Sequence, residues 1–395
     1  MKIHYFNPGH ETAVLNKSPY YMAPSNVVAM QQELAFLPAW YANADDRIFV
    51  WDELNNEYWK YIYDNLNGVP QIITKDDLKG VSAEVCLWGI SPQAIHFWSE
   101  IGRLTNAQIE VPIWKNEYFD LTSRRMAKDC LSYIITALYE IDSALLPIFC
   151  LSLTEIEELV KDSSCQLLAK APYSSSGRGL LWLPISELSR TERQILHGIL
   201  KKQGTVSVER ALNKQIDFAM EFMSDGVGNV TFSGYSLFET NAKGAYSANI
   251  LDSQVDLRNK ITSFVDPDLL DKICKLIEVY LSNKYGELYK GCIGVDMMIY
   301  MSDNGEYKIH PCVEINMRYN MGFLSLQFYH KHVEEGRSGR FYIDFLPREG
   351  EIHSQHLKLV SKYPPEVHNN KLVKGYFPLC PVDASSHYWA YVLID

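Results

Sequence analysis

At 395 residues the chain is too long for one simple core, and two or three structural units are expected. A hydrophobic fraction of 47% with 22% charged residues is that of an ordinary globular protein. The net charge of -11 argues against non-specific nucleic-acid binding, which needs basic patches, but leaves an anionic small ligand open because local charge decides that. The eight cysteines form no C-x-x-C pair, so zinc spacing is absent and reduced, mostly buried thiols are expected. The start, MKIHYFNPGHETAV, has no long apolar segment, and no run approaches the ~18 apolar residues of a membrane span. A cytoplasmic protein with neither nucleic acid nor membrane as partner is the expectation.

From Met1 to about Pro112, the strand-like runs KIHYF, DRIFVW, PQIIT and EVCLWG alternate with helical stretches, which predicts an open α/β unit. Ser91 to Gly102 reads as a helix opened by Ser-Pro. Pro8-Gly9-His10-Glu11 is expected to be a loop at the carboxyl end of the first strand, where such sheets place ligands, so His10 and Glu11 could touch substrate. A linker around Val111-Pro112-Ile113 leads to a helix over Ser123 to Glu140, with Met126, Leu131, Ile134, Ile135 and Leu138 at helical spacing. Cys165 to Pro184 reads strand, Gly/Ser loop, strand, and Ser186 to Gln203 reads as a polar helix. TVSVERAL is a strand, followed by a β region to about Asn249 and a helix from Pro267 to Tyr285. KLVKGYFPL and HYWAYVLI predict further strands near the end.

The segment Asp296 to Gly322 carries the strongest chemical signal. Two apolar runs flank Asp303-Asn304-Gly305, a hairpin turn signal. Asp296 lies on the first run, and Glu314, Asn316 and Arg318 lie on the second at a spacing of two, hence on one strand face. Two carboxylates and an amide on paired strands make a hard-oxygen site suited to Mg²⁺, and Arg318 adds a fixed positive charge, a combination suited to phosphates. The pairing makes a demand on geometry. A two-residue Asn304-Gly305 turn would put Asp296 and Glu314 on opposite faces, so the hairpin needs an odd-length loop or a bulge.

Upstream, LLAKAPYSSSGRGLLWL delivers Lys170 beside the loop Ser174-Ser175-Ser176-Gly177-Arg178-Gly179, whose small residues let backbone N–H groups approach an anion. It is neither a Walker A loop nor a Rossmann fingerprint. Next come Val208-Glu209-Arg210-Ala211-Leu212 and Asp217, able to accept from an exocyclic amine and from ribose hydroxyls.

In this order, a Lys with a Gly/Ser loop, V-E-x-x-L, an acidic residue, G-V-D and E-I-N-M-R, the chain from about Trp114 to Gly322 resembles the ATP-grasp superfamily. The resemblance implies an N-terminal open α/β domain over residues 1–112, an ATP-grasp domain over 113–345 with lobes of about 113–205 and 206–345, and a C-terminal β segment over 346–395. It implies that Lys170 contacts ATP phosphates, with Ser175, Ser176, Gly177 and Gly179 closing over them. Glu209, Arg210 and Leu212 would hold adenine, and Asp217 ribose. Asp296, Glu314 and Asn316 would bind Mg²⁺, or Mn²⁺ in its place, while Arg318 would stabilise the transferred phosphoryl group. An arginine, Arg124 or Arg125, stands where the family has an earlier lysine; arginine binds phosphate bidentately. Asn241 to Tyr246 resembles a loop covering the acceptor pocket.

The implied activity is ATP-dependent ligation of a small carboxylic acid to an amine through an acyl-phosphate. A small-molecule kinase and a non-catalytic nucleotide-binding protein are the alternatives. The partners are the carboxylate and amine substrates, with a homodimer among the allowed assemblies.

Overall fold

The computed structural model describes residues 1–52, 56–174, 179–240 and 246–395. The first sheet contains β1 (Lys2–Tyr5), β2 (Arg47–Phe49), β3 (Gln71–Ile73), β4 (Ser82–Leu87) and β5 (Gln108–Glu110), all parallel, in the order β3-β2-β1-β4-β5. The order reverses between β1 and β4, and the segments after those two strands reach the chain at residues 318 and 319, where Arg318 donates to Glu11 and the Tyr319 N–H to the Trp88 carbonyl. After β4, Ser91 caps the helix Pro92–Thr105 by accepting from the Ala94 N–H at 3.2 Å, with Pro92 in the first turn. After β1 the expected loop is shorter than anticipated. Gly9 takes a left-handed φ of 79°, and the helix His10–Asn16 begins at once.

A four-stranded antiparallel sheet follows, made of β6 (Ile148–Cys150), β7 (Leu167–Lys170), β8 (Leu180–Trp182) and β9 (Val206–Arg210) in the order β6-β9-β7-β8. The helices Leu153–Asp162 and Arg190–Gln203 contribute Ile156, Val160 and Leu196 to the core it shares with Ala169, Val206 and Val208. Ser189 and Glu192 form a capping box, which sets the start of Arg190–Gln203 four residues later than the sequence reading.

The remaining strands are β10 (Asn213–Asp225), β11 (Val230–Thr240), β12 (Tyr246–Leu251), β13 (Lys290–Met301), β14 (Tyr307–Asn316), β15 (Gly339–Phe345), β16 (Glu366–His368), β17 (Lys371–Pro378) and β18 (Tyr388–Ile394). They form one antiparallel sheet in the order β14-β13-β10-β11-β12-β15-β18-β17-β16. Its core packs against the helices Arg125–Ala137 and Pro267–Tyr285. The first is shorter than the anticipated Ser123 to Glu140; the second has the expected bounds.

Residues 346–395 are not purely β, because they include the helix Glu351–Lys362. Their strands extend the large sheet through the β15–β18 pairing. They also share an aromatic core with the N-terminal unit, in which Trp40 packs on Phe377 and donates Nε1–H to the Leu379 carbonyl at 2.9 Å. All eight cysteines are free thiols, and no helix among the described residues is long and apolar enough to cross a membrane.

Candidate active site

A cleft of about 410 Å³ lies between the four-stranded and nine-stranded sheets. Its catalytic-looking end is built by the β13–β14 hairpin. Met301 pairs with Tyr307, leaving the odd-length loop 302–306 that the parity argument requires. In that loop Gly305 has φ 81°, and its N–H donates to the Ser302 carbonyl at 2.9 Å. The register then shifts once, since Met298 faces His310 while Asp296 faces Glu314. Pro311 lies in this shift and has no N–H for the ladder, and the Cys312 N–H turns to His310 Nδ1 at 3.4 Å. The second strand gains two residues, which preserves parity, so Asp296 and Glu314 face each other directly.

Around this pair the polar groups are closely connected. Asn316 Nδ2 donates to Asp296 Oδ2 at 3.2 Å. β14 ends at Asn316, so Arg318 lies beyond the strand rather than on its face; its Nη2 still donates to Asn316 Oδ1 at 3.0 Å. Burial, with Glu314 and Glu221 close by, pushes the Asp296 carboxyl well above the usual carboxylate range. Arg124 Nη2 lies 3.0 Å from Glu314 Oε2, and its Nε donates to the Ala171 carbonyl at 3.2 Å. Arg125 is exposed, with its guanidinium 4.5 Å from the Phe149 ring centre. Arg124 is therefore the arginine that faces the cleft.

The N-terminal unit reaches this end of the cleft. Asn7 and Gly89 bond reciprocally, with Asn7 Nδ2 2.7 Å from the Gly89 carbonyl and the Gly89 N–H 3.2 Å from Asn7 Oδ1. His10 Nε2 lies 3.0 Å from the Ile90 carbonyl, and a Cβ on Gly89 would sit 2.5 Å from the His10 ring. These contacts fix the helix start and aim Glu11 at Arg318, whose Nε donates to Glu11 Oε1 at 2.5 Å. Burial would raise the Glu11 carboxyl, but Arg318 and the neighbouring His10 together hold it down at about 2.

At the other end, Lys170 on β7 is ion-paired with Glu209 on β9. The residues expected on phosphate and on adenine thus hold each other. Arg210 and Leu212 line the same end, with the Arg210 guanidinium reaching Asp303 at 3.2 Å. Asp217 accepts from Thr240 Oγ1 at 2.9 Å and pairs with Lys214. His310 also lines the cleft, and burial lowers its pKa to about 4.

Gly179, with φ 86°, lines a second cavity of about 420 Å³ together with Ser174, Tyr173 and Thr12 of the N-terminal unit. Ser175, Ser176, Gly177 and Arg178 lie outside the described residues, as do Asn241, Ala242, Lys243, Gly244 and Ala245. Tyr246, at the end of that second loop, lines the main cleft. Among the described residues, no group of three His, Cys, Asp or Glu side chains gathers for a metal ion; the cation donors on offer are two facing carboxylates and one amide.

Sequence reading missed Glu221. It lies on β10, is 1% exposed, and lines the cleft beyond Arg318. The signal was present. Asp217, Ala219 and Glu221 alternate with Phe218, Met220 and Phe222, so a strand that turns Asp217 to the cleft also turns Glu221 there.

The architecture is an open parallel α/β sheet followed by a four-stranded and a nine-stranded antiparallel sheet that line a cleft, with two facing carboxylates on the β13–β14 hairpin. No family model and no curated protein matches the chain. Solved structures similar to it across its whole length include N5-carboxyaminoimidazole synthetase from Staphylococcus aureus complexed with ADP (10% identity, TM-score 0.48, 93% of that chain). Biotin carboxylase from Campylobacter jejuni with β-γ-ATP is another, at 13% identity and TM-score 0.47 over 87% of that chain. A third is the biotin carboxylase domain of the Hydrogenobacter thermophilus 2-oxoglutarate carboxylase, in complex with MgADP, ADP and bicarbonate, at 9% identity and TM-score 0.49 over 86% of that chain. At such identities no residue role is transferred from them.

Proposed function

We propose that the chain is an ATP- and Mg²⁺-dependent ligase that joins a small carboxylic acid to an amine through an acyl-phosphate. The observation that carries the proposal is the register that sets Asp296 opposite Glu314 in a cleft also lined by Arg124, Lys170, Asn316 and Arg318. Two carboxylates held face to face repel each other, and a hard divalent cation suits this oxygen-rich donor set. Asp296, Glu314 and Asn316 would hold Mg²⁺, or Mn²⁺ in its place, which when bound neutralises phosphate charge. Arg124 and Lys170 would take the phosphates from opposite walls, Glu209 to Leu212 the adenine and Asp217 the ribose. Ser175, Ser176, Gly177 and Gly179 are assigned to the phosphate cover.

The residues act mainly by positioning and electrostatics. The substrate carboxylate attacks the γ-phosphate with release of ADP, and Arg318 would stabilise charge on the transferred phosphoryl group and the acyl-phosphate. The amine then attacks the acyl carbon, the C–N bond forms, and the bond to the phosphate oxygen breaks. The domain division at about 112 and 345, and a cytoplasmic setting that suits eight free thiols, belong to the same proposal.

The closed Lys170–Glu209 and Arg124–Glu314 pairs favour a second reading, a nucleotide-binding protein whose polar groups satisfy one another. Thermal unfolding with ATP or ADP, with Mg²⁺ or EDTA, separates the two together with an ADP-release assay. Nucleotide at 100 times its Kd adds about 2.7 kcal/mol. That should raise Tm by roughly 2 °C or more per kcal/mol. A metal-dependent rise with acid-stimulated ADP release supports the ligase, and a rise without turnover supports the binding protein. No rise at millimolar nucleotide rejects both.

A further inference from the structure

The proposed nucleotide and metal assignments leave one buried carboxylate in the cleft without a part. Glu221 lies on β10 opposite Gly294, two residues along from the Ala219 that faces Asp296. It is 1% exposed, and the other polar groups at its end of the cleft, Ser236 and Asn249, are equally buried.

The surroundings are shaped for this side chain. A Cβ on Gly322 would lie 2.2 Å from Glu221 Oε1 and 2.3 Å from Ser236 Oγ, and one on Gly294 would lie 2.9 Å from Glu221 Oε2. Two glycines therefore clear the space that the carboxylate fills. Asn320 fixes its polarity. Its Oδ1 caps the helix Met321–His332 by accepting from the Phe323 N–H at 2.8 Å, which leaves Nδ2 to donate to Glu221 Oε2, also at 2.8 Å. Ser236 Oγ reaches Oε1 at 3.3 Å, and the Cys292 thiol is 3.9 Å from Oε2. An ionised carboxylate has room for about four hydrogen bonds, so these neutral donors leave capacity for another.

We infer that Glu221, with Ser236 and Asn320, is the seat for the amine substrate, and that this substrate arrives as a primary ammonium cation. The inference rests on the ligase reading and supplies its missing half, the chemistry of the nucleophile. Among the described residues the hydrogen-bond donors to Glu221 are all neutral, and the nearby Arg318 guanidinium is bonded to Glu11 and Asn316 instead, so an ammonium group would supply a directly bonded counter-charge along with three N–H donors. Burial pushes the Glu221 carboxyl up to about 7, although its hydrogen bonds and the Arg318 charge pull the other way. The seat lies in the same cleft as Arg318, where the ammonium would pass one proton to Glu221 and the freed amine would attack the acyl carbon, forming the C–N bond and releasing phosphate.

The test compares a cationic with a neutral nucleophile in the wild type and in Glu221→Gln, an isosteric change that keeps the Asn320 hydrogen bond. The acid that best stimulates ADP release in the wild type is offered hydroxylamine, largely neutral at about pH 8, or a panel of simple primary amines that are cations there. Hydroxamate reports the acyl-phosphate, and amide reports use of the seat. In Glu221→Gln the amide-to-hydroxamate ratio is expected to fall at least about tenfold, mainly through a higher KM for the amine. An unchanged ratio overturns the inference. If the wild type gives no hydroxamate with any acid, it is the ligase reading that fails. The seat is then read directly by thermal unfolding with methylammonium chloride, where a rise in the wild type that Glu221→Gln lacks sustains it and equal behaviour of the two rejects it.

Discussion

Glu314 faces two ways, toward Asp296 across the hairpin and toward Arg124 across the cleft. Replacing it with Gln keeps the shape and a hydrogen bond to Arg124 but removes one of the two charges offered to a cation. Glu314→Gln is expected to lower ATP turnover about 100-fold or more, on the scale of losing one preorganised electrostatic contact, while far-UV circular dichroism stays that of the wild type. Normal ADP release by this variant would remove Glu314 from the metal site. Glu11 invites a different test, because it is the only N-terminal-unit residue hydrogen-bonded to Arg318 among the described residues. Its folded-state pKa, about 2, lies below the ordinary carboxylate value. Its contribution to stability is therefore complete above about pH 4.5 and is lost as pH falls from there toward 2. Glu11→Gln should cost roughly 3 kcal/mol at neutral pH, the usual penalty for breaking a buried pair, and the deficit should shrink across that acidic window. Urea unfolding at several pH values checks this, and a pH-independent deficit would mean that the ion pair is not its source.

At the scale of elements, the cleft depends on glycines that let strands and helix starts approach side chains. Gly322, in the first turn of the helix Met321–His332, is the clearest case, since its Cβ would overlap both Glu221 and Ser236. Gly322→Ala is expected to destabilise the fold by about 1–3 kcal/mol and to displace Glu221; a crystal structure with Glu221 unmoved and an unchanged Tm would contradict this. Such crowding explains what could be read from the sequence and what could not. The hairpin was legible because its turn signal, its alternation and its parity are local; the register shift at Pro311 was not read in advance. The strands 371–378 and 388–394 were legible as strands, but not their place in the large sheet, because β15–β18 pairing joins residues far apart in sequence. Arg124 and Arg125 could not be told apart, since adjacent positions at a helix start differ only in what packs above them. Glu221 carried a period-two signal but no motif, and its partners Asn320 and Ser236 come from other elements.

Across the whole molecule, the N-terminal unit and the C-terminal strands are bound by a shared aromatic core, and one polar side chain lies inside it. His332 is 1% exposed, with its ring centre 5.4 Å from that of Trp40 and 5.6 Å from that of Phe328. Neither of its ring nitrogens has a hydrogen-bond partner among the described residues. Burial, reinforced by the charges of Lys331 and Lys371, lowers its pKa to about 3. The folded protein therefore holds it neutral, while the unfolded chain protonates it below about pH 6.5. Its contribution is intact above that pH and is lost as pH falls toward 3. Phenylalanine fills a similar space, has no nitrogens to leave unsatisfied, and does not titrate. His332→Phe should thus match or exceed the wild type at about pH 7, and its advantage should grow by about 1.4 kcal/mol per pH unit below about 6.5. The buried histidines His10 and His310 remain in both proteins, so their acid sensitivity cancels in the comparison. Urea unfolding at about pH 7 and about pH 5 measures the difference. A constant gap between the two proteins would show that His332 is already charged or partnered in the folded state, whereas a widening gap would locate one source of acid instability at the seam between the first and last segments of the chain.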